Sequence, residues 1–136
     1  MSTDKSVSRY WLGLGALNGV LAVALGAFAA DGLNGHLSEH MLDVFDKGVD
    51  YQGFHALALL ITGILLLHDP ESRAIRWAGA LFLTGILLFS GSLYLLALSG
   101  VKNWGAITPL GGMAFLLGWI LLGLGVMRAG SRIGTQ

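Results

Sequence analysis

The residues able to do chemistry in this sequence are few: four histidines, eight carboxylates and no cysteine. His36 and His40 stand four apart, with Glu39 and Asp43 beside them. On a helix that spacing puts both imidazoles on one face, as a divalent-metal site would need. The run is not H-E-x-x-H, because Leu37 follows His36, and two solvated histidines near a helix start explain the same residues. His55 lies near the outer end of an apolar stretch, with Tyr51 and Gln52 a turn before it. An ionisable side chain inside a membrane helix is a functional candidate by default. The roles open to it are proton carrier, headgroup contact or ligand anchor; at shallow depth it could equally bond a neighbouring helix or water. Asp31 ends the first apolar stretch, on the side expected for His55, so either a pair with that histidine or a loop cap is open to it. Asn18 stands mid-stretch and is costly there unless bonded. Holding two helices together is its expected role, with a substrate contact as the alternative. Ser90 and Ser92 are expected to bond their own backbone or a helix seam.

Several chemistries are missing. Without cysteine there is no disulfide, thiol nucleophile, Cys-ligated zinc or iron–sulfur cluster. The apolar stretches hold no carboxylate for ion-coupled transport and no histidine pair at haem-ligating depth. Ser90-Gly91-Ser92 is a patch of small residues rather than G-x-S-x-G. The expectation is a non-enzymatic protein without a cofactor.

The elements that carry these residues follow from composition. Of 136 residues, 54% are hydrophobic and 12% charged, and mean hydropathy is +0.71. Soluble domains carry roughly 25% charged residues, so this chain cannot clothe a water-facing surface. Eight basic residues balance eight acidic ones, which argues against a nucleic-acid partner. Four apolar stretches, at about 10–30, 51–68, 77–98 and 108–127, approach the ~20 residues that cross a hydrocarbon core. They lack the alternation of barrel strands, so helices are expected. Thr108-Pro109 reads as the start of the fourth helix and Asp69-Pro70 as the end of the second. Leu37, Met41, Val44, Phe45 and Val49 share one helical face, with acidic residues largely on the others. This segment reads as an amphipathic helix on the interface between spans one and two, or as a lead into span two. The fold class expected is therefore all-α, a single-domain four-helix membrane bundle.

Charge sets the orientation. Lys5, Arg9, Arg73, Arg76, Arg128 and Arg132 fall on one side, and only Lys47 and Lys102 on the other. The positive-inside rule then puts both termini in the cytoplasm and an acidic loop outside. A cleavable signal peptide is the weaker reading of the N-terminus, because its apolar run of about 20 residues exceeds a usual signal core.

Small residues are placed for tight packing. Gly15, Gly19, Ala22, Gly26 and Ala29 alternate steps of four and three in span one. Gly85 and Ser92 are seven apart in span three, as are Gly111, Gly118 and Gly125 in span four. Such stripes let helix backbones approach closely. A bundle so packed leaves little room for a central pore, but a ligand groove on the lipid side or a pore between subunits stays open.

Four blocks together resemble a known family. They are Gly26 to Gly32 (GAFAADG), Phe45-Asp46-Lys47 with Tyr51 to Leu60 (YQGFHALALL), Leu88 to Tyr94 (LFSGSLY) with Ala97 to Gly100, and Thr108 to Gly112 (TPLGG) with Gly118-Trp119. In order and spacing the chain is similar to the bacterial inner-membrane proteins of domain of unknown function 423, related to human transmembrane protein 256. The resemblance covers roughly Gly13 to Leu124. It implies four transmembrane helices and singles out His55 and the Pro109 to Gly112 turn, but carries no activity. Members often have histidine where Asp31 stands, which weakens a metal or proton role at that position.

Two functions follow as expectations. The first is a structural, assembly or accessory-subunit role among membrane lipids, as a homo-oligomer or within a larger complex. The second is a transporter or channel for a small or lipid-like solute, formed between subunits with His55 and Asp31 at the outer mouth. A metal protein using His36, His40 and Glu39 ranks behind both.

Overall fold

The computed structural model describes residues 2–134, with side chains over 6–129; the side chains of Lys5 and Arg132, used above for orientation, lie outside the described residues. The described chain is helical throughout, with no strand. Helix α1 (Ser2–Phe28) runs into a wide π-turn at Ala29–Leu33. Helix α2 is Glu39–His68. Helix α3 (Arg73–Gly85), a second π-turn (Ile86–Ser90) and α4 (Gly91–Ser99) form one continuous third span. A short 3-10 turn (Lys102–Ala106) leads to α5, Thr108–Gly134. Four stretches are long and apolar enough to cross a membrane: Ser6–Leu33, Glu39–His68, Arg73–Ser99 and Lys102–Ala129.

The ends of these helices have local causes. Ser38 caps α2, its Oγ accepting from the Met41 amide at 3.1 Å. Ser72 caps α3 in the same way, accepting from Ile75 N at 3.2 Å. Side-chain oxygens at these positions satisfy amides that have no helical partner. Gly100 takes φ +73°, and its amide closes on Leu96 O at 2.9 Å. That left-handed turn ends the third span, a conformation that favours glycine. Thr108 is the first helical residue of α5, and its hydroxyl meets Ser92 Oγ at 2.6 Å across the helices.

The structure corrects two placements. Residues 39–50 do not form a separate interfacial helix: they are the first twelve of the thirty residues of α2, the lead into span two that is the other reading of this segment. No proline stands between Ser38 and Asp69, and the face carrying Phe45 is buried against Ala29, Leu33 and Ala97. His36 and His40 do not share a helical face either. His36 sits in the turn before the cap, its amide bonded to Leu33 O, while His40 is on α2. Gly35, at φ +89°, bends the chain at that point.

Glycines set how the helices lie. A Cβ on Gly15 would come within 2.9 Å of Ala56 O, and one on Gly63 within 2.6 Å of Leu12 Cγ, so α1 and α2 run antiparallel in close contact. Gly26 meets Val49 and Gly53 meets Ala22 along the same seam. On α5, Gly111, Gly118 and Gly125 all face the third span, opposite Phe89, Phe82 and Ile75. Gly85 receives the Phe115 ring in return. Gly19 has no neighbour at the position a Cβ would take. The principal contacts run from α1 to α2, from α2 to the third span, and from there to α5. The α2 and α5 backbones stay apart, and side chains fill the interval.

These contacts predict opposite outcomes for two alanine substitutions. At Gly111 the new methyl would collide with the Phe89 backbone, so Gly111→Ala should cost about 1–3 kcal/mol by overpacking. Gly19→Ala should be neutral or stabilise by up to about 1 kcal/mol through helix propensity. Reversible unfolding in bicelles checks both; equal stability of the two variants would contradict the packing.

Candidate functional site

Among the buried polar side chains described, Gln52 and His55 stand on one turn of α2 and each anchors a set of contacts to other helices. Gln52 and His55 are three apart, so they point to adjoining faces of that helix. Gln52 faces α1 and α4: its Nε2 donates to Asn18 Oδ1 at 2.9 Å, and Tyr94 Oη donates to its Oε1 at 2.6 Å. Asn18 Nδ2 in turn donates to Leu14 O at 2.8 Å. This chain ties three helices together and uses every heteroatom of both amide side chains. Ser90 adds a link from the third span, donating to Gly48 O at 2.7 Å. The widened turn at Ile86–Ser90 carries that hydroxyl, and such turns interrupt helices where a side chain must be re-aimed.

His55 faces the interval between α2 and α5. Its Nδ1 lies 2.8 Å from Tyr51 O and its Nε2 3.1 Å from Trp119 Nε1. A carbonyl can only accept and an indole N–H can only donate. Nδ1 therefore carries the proton and Nε2 the lone pair, a single neutral tautomer. The ring is stacked on Phe115 with centroids 3.6 Å apart and planes 9° from parallel. His55 is 3% exposed, so the imidazole is a clamped part of the wall. Sequence placed it near the end of its span. It is instead the 17th of the 30 residues of α2, because that helix begins at Glu39.

Beside it a cleft of about 700 Å³ opens between α2 and α5. Tyr51, Phe54 and His55 form one wall, Phe115, Leu116 and Trp119 the other, and Phe89 from the second π-turn closes the back. Tyr51 and Phe89 rings lie 4.3 Å apart, and Phe54 and Trp119 5.6 Å apart. Gly112 sits in the lining; a Cβ there would meet only the Phe89 ring, at 3.9 Å. The rim residues Phe54, Met113 and Leu116 are each more than half exposed, on a flank otherwise covered by apolar side chains. The cleft therefore opens sideways, onto the membrane. Asp50 is the one carboxylate in its lining, and no lysine or arginine contributes.

The remaining candidates lie elsewhere. Asp31 is exposed in the first π-turn. The contacts of Gly15 with Leu60 and Gly26 with Val49 set the antiparallel register. Asp31 then falls level with about residue 44 of α2, roughly 16 Å along the axis from His55. The two do not pair, and the outer mouth expected from them is not assembled within the chain. His36, Glu39 and His40 are exposed, and among the described residues no group of three or more His, Asp or Glu side chains could hold a metal. A second hollow of about 420 Å³ at this end is lined by Glu39, Asp43 and Asp46. Ser92 Oγ donates to Phe89 O at 2.9 Å and bonds Thr108.

Sequence reasoning missed Tyr94, Phe89, Phe115 and Trp119 as site residues. A signal for two of them was present: Phe115 and Trp119 are four apart, hence on one face of a helix, as are Tyr51 and His55. That those faces meet is a tertiary fact.

The fold and cleft define a class: a four-span helical membrane protein with a lateral aromatic cleft. Comparison with known proteins gives the family. The family described as "Protein of unknown function (DUF423)" matches residues 25–112. A UPF0382 membrane protein of Staphylococcus aureus is 50% identical over 109 residues, covering 80% of this chain and 88% of the relative. Another from Staphylococcus epidermidis is 46% identical over 115 residues, covering 85% and 93%. One from Bacillus subtilis is 46% identical over 109 residues, covering 80% and 89%. No solved structure matches the chain. The chain belongs to the DUF423 family of integral membrane proteins.

Two measurements follow from the site. In ¹⁵N-labelled protein, His55 should show a protonated Nδ1 and a bare Nε2; a predominant Nε2–H form would contradict the Trp119 bond. Asn18→Ala should destabilise the bundle by about 0.6 kcal/mol, the average for interhelical bonds in membranes, and by no more than about 1.7 kcal/mol. Combined with Gln52→Leu it should cost less than the two single changes summed, because the second removes the partner the first leaves unpaired. Strict additivity in bicelle unfolding would show the bond to be absent.

Proposed function

We propose that this chain is a non-enzymatic protein of the inner membrane, with both termini cytoplasmic, that takes an amphiphile from the bilayer into the cleft between α2 and α5. The observation that carries this reading is the cleft itself. Its volume falls in the range of small-molecule sites, roughly 300–1,000 Å³, and its walls are aromatic with few polar groups, as such sites usually are. His55 has both nitrogens engaged, which supports binding over acid–base chemistry. The six-to-two distribution of basic residues supports the orientation.

The expected assembly role drew on the small-residue stripes. Gly15, Gly26, Gly85, Gly111, Gly118 and Gly125 are occupied by contacts inside the chain. They therefore give no argument for a homo-oligomer or a larger complex. The transport reading survives in reduced form, as exchange of a lipid-like molecule at the cleft rather than flow through a pore between subunits. The buried polar groups support that reduction: they bond to one another instead of lining a continuous path.

The test is native mass spectrometry of protein extracted from its own membrane in detergent-free discs. Wild type should carry a bound amphiphile of reproducible mass. Gly112→Trp, which fills the cleft from a position where a Cβ fits, should lose it while keeping its helical content. Wild type without a retained molecule, or equal retention by the variant, would overturn the reading.

A further inference from the structure

The chemistry of the cleft also bears on what enters it. Among the described residues, the only charged side chain in its lining is Asp50, which is exposed and stands five residues before His55 on α2. Five residues are about 7.5 Å of helix, so the carboxylate lies at the end of the cleft nearer the start of α2 and the aromatic walls lie below it. Tyr51 and Phe89 line the cleft together with Asp50, their rings 4.3 Å apart and each neighbouring the Phe115 ring. Aromatic faces carry negative charge density and attract cations, more strongly where water is excluded. The surroundings have the same sign. Asp31, Glu39, Asp43, Asp46 and Asp50 face only Lys47 and Lys102 at this end, five acidic residues against two basic. The second hollow there is walled by three of those carboxylates.

An anion in the cleft would meet a carboxylate and ring faces without a basic partner. A neutral apolar molecule would gain nothing from the carboxylate at the mouth. We infer that the cleft is selective for a lipophilic cation: an ammonium ion held at Asp50 and the Tyr51 and Phe89 rings, with an apolar body lying against Phe54, Phe115 and Trp119. A diacyl phospholipid fits less well. Its phosphate would sit beside Asp50 with no basic side chain in the lining to balance it. This inference rests on the cleft being a ligand site and adds the charge of the ligand.

The experiment uses the full chain in discs of neutral phosphatidylcholine and three probes with one body: 4-phenylbutyl-trimethylammonium, its neutral carbon isostere and 5-phenylpentanoate. Binding is read as the change in tryptophan fluorescence after subtraction of empty discs, and Trp119→Phe assigns the signal to the cleft. Wild type should bind the ammonium probe about tenfold more tightly than the neutral isostere, and the carboxylate least. Asp50→Asn should bring the ammonium and neutral probes to about equal affinity, with neutral binding unchanged. Asp50→Glu should keep the preference, as should Asp46→Asn, whose carboxylate lies outside the lining. Equal affinity for ammonium and neutral probes in wild type would overturn the charge inference while leaving the cleft as a ligand site. A preference that persists in Asp50→Asn would overturn the role of that carboxylate. If no probe binds to wild type, both the inference and the ligand-site reading fail.

Discussion

The close approach of α5 to the third span is the constraint on which the rest of the structure depends. Three glycines seven apart let the two backbones touch where any side chain would hold them away, at Gly111 most tightly of all. In lipid this matters more than in water, because hydrocarbon tails supply no drive for apolar helices to associate. The third span packs against both α5 and α2, while the α2 and α5 backbones stay apart. The space between them must be filled by large side chains or stay open. It is partly both: His55, Phe115 and Trp119 bridge the interval, and the cleft occupies what they leave. The second π-turn belongs to the same arrangement. It brings the Phe89 backbone against Gly111 and turns the ring into the back of the cleft.

Polar side chains answer a second constraint of the bilayer, the lack of water to satisfy them. Asn18, Gln52 and Tyr94 do so collectively, each side chain using the groups of the next. The result fixes the rotation of α2 relative to both α1 and α4, since a one-residue turn of about 100° would break both bonds to Gln52 at once. That rotation carries His55 to the adjoining interval, where Tyr51 and Trp119 dictate its tautomer. The network and the cleft thus meet at neighbouring faces of one helix. Stiffness on the α1 and α4 side holds the aromatic wall in place on the α5 side.

The bundle is lopsided as a result. Of the apolar window of α2, 44% is buried, against 22% for α1, which lies on the outside of α2 with most of its surface toward lipid. Its ties to the rest include the glycine seam, the Asn18 bond, the Phe28–Phe45 ring contact and Trp11, whose ring lies over Gly79 of α3. The acidic carboxylates gather at the end where α2 begins, near the Asp50 end of the cleft.

Read alone, the sequence determined the membrane class, the four spans, the helical content and the glycine stripes, because these depend on composition and local spacing, which no partner can change. The stop at Asp69-Pro70 belongs with them, being local backbone chemistry. Other features are relations between faces, and a sequence without helix rotations does not specify rotation. Tertiary structure alone decided that Gln52 would look one way and His55 the other, that Asp31 would fall far from His55, and that Phe115 and Trp119 of α5 would stand opposite Tyr51 and His55 of α2. It also decided that residues 39–50 extend α2 instead of lying along the interface. Their amphipathic pattern suits either position, and only the burial of Phe45 against Ala29, Leu33 and Ala97 selects one.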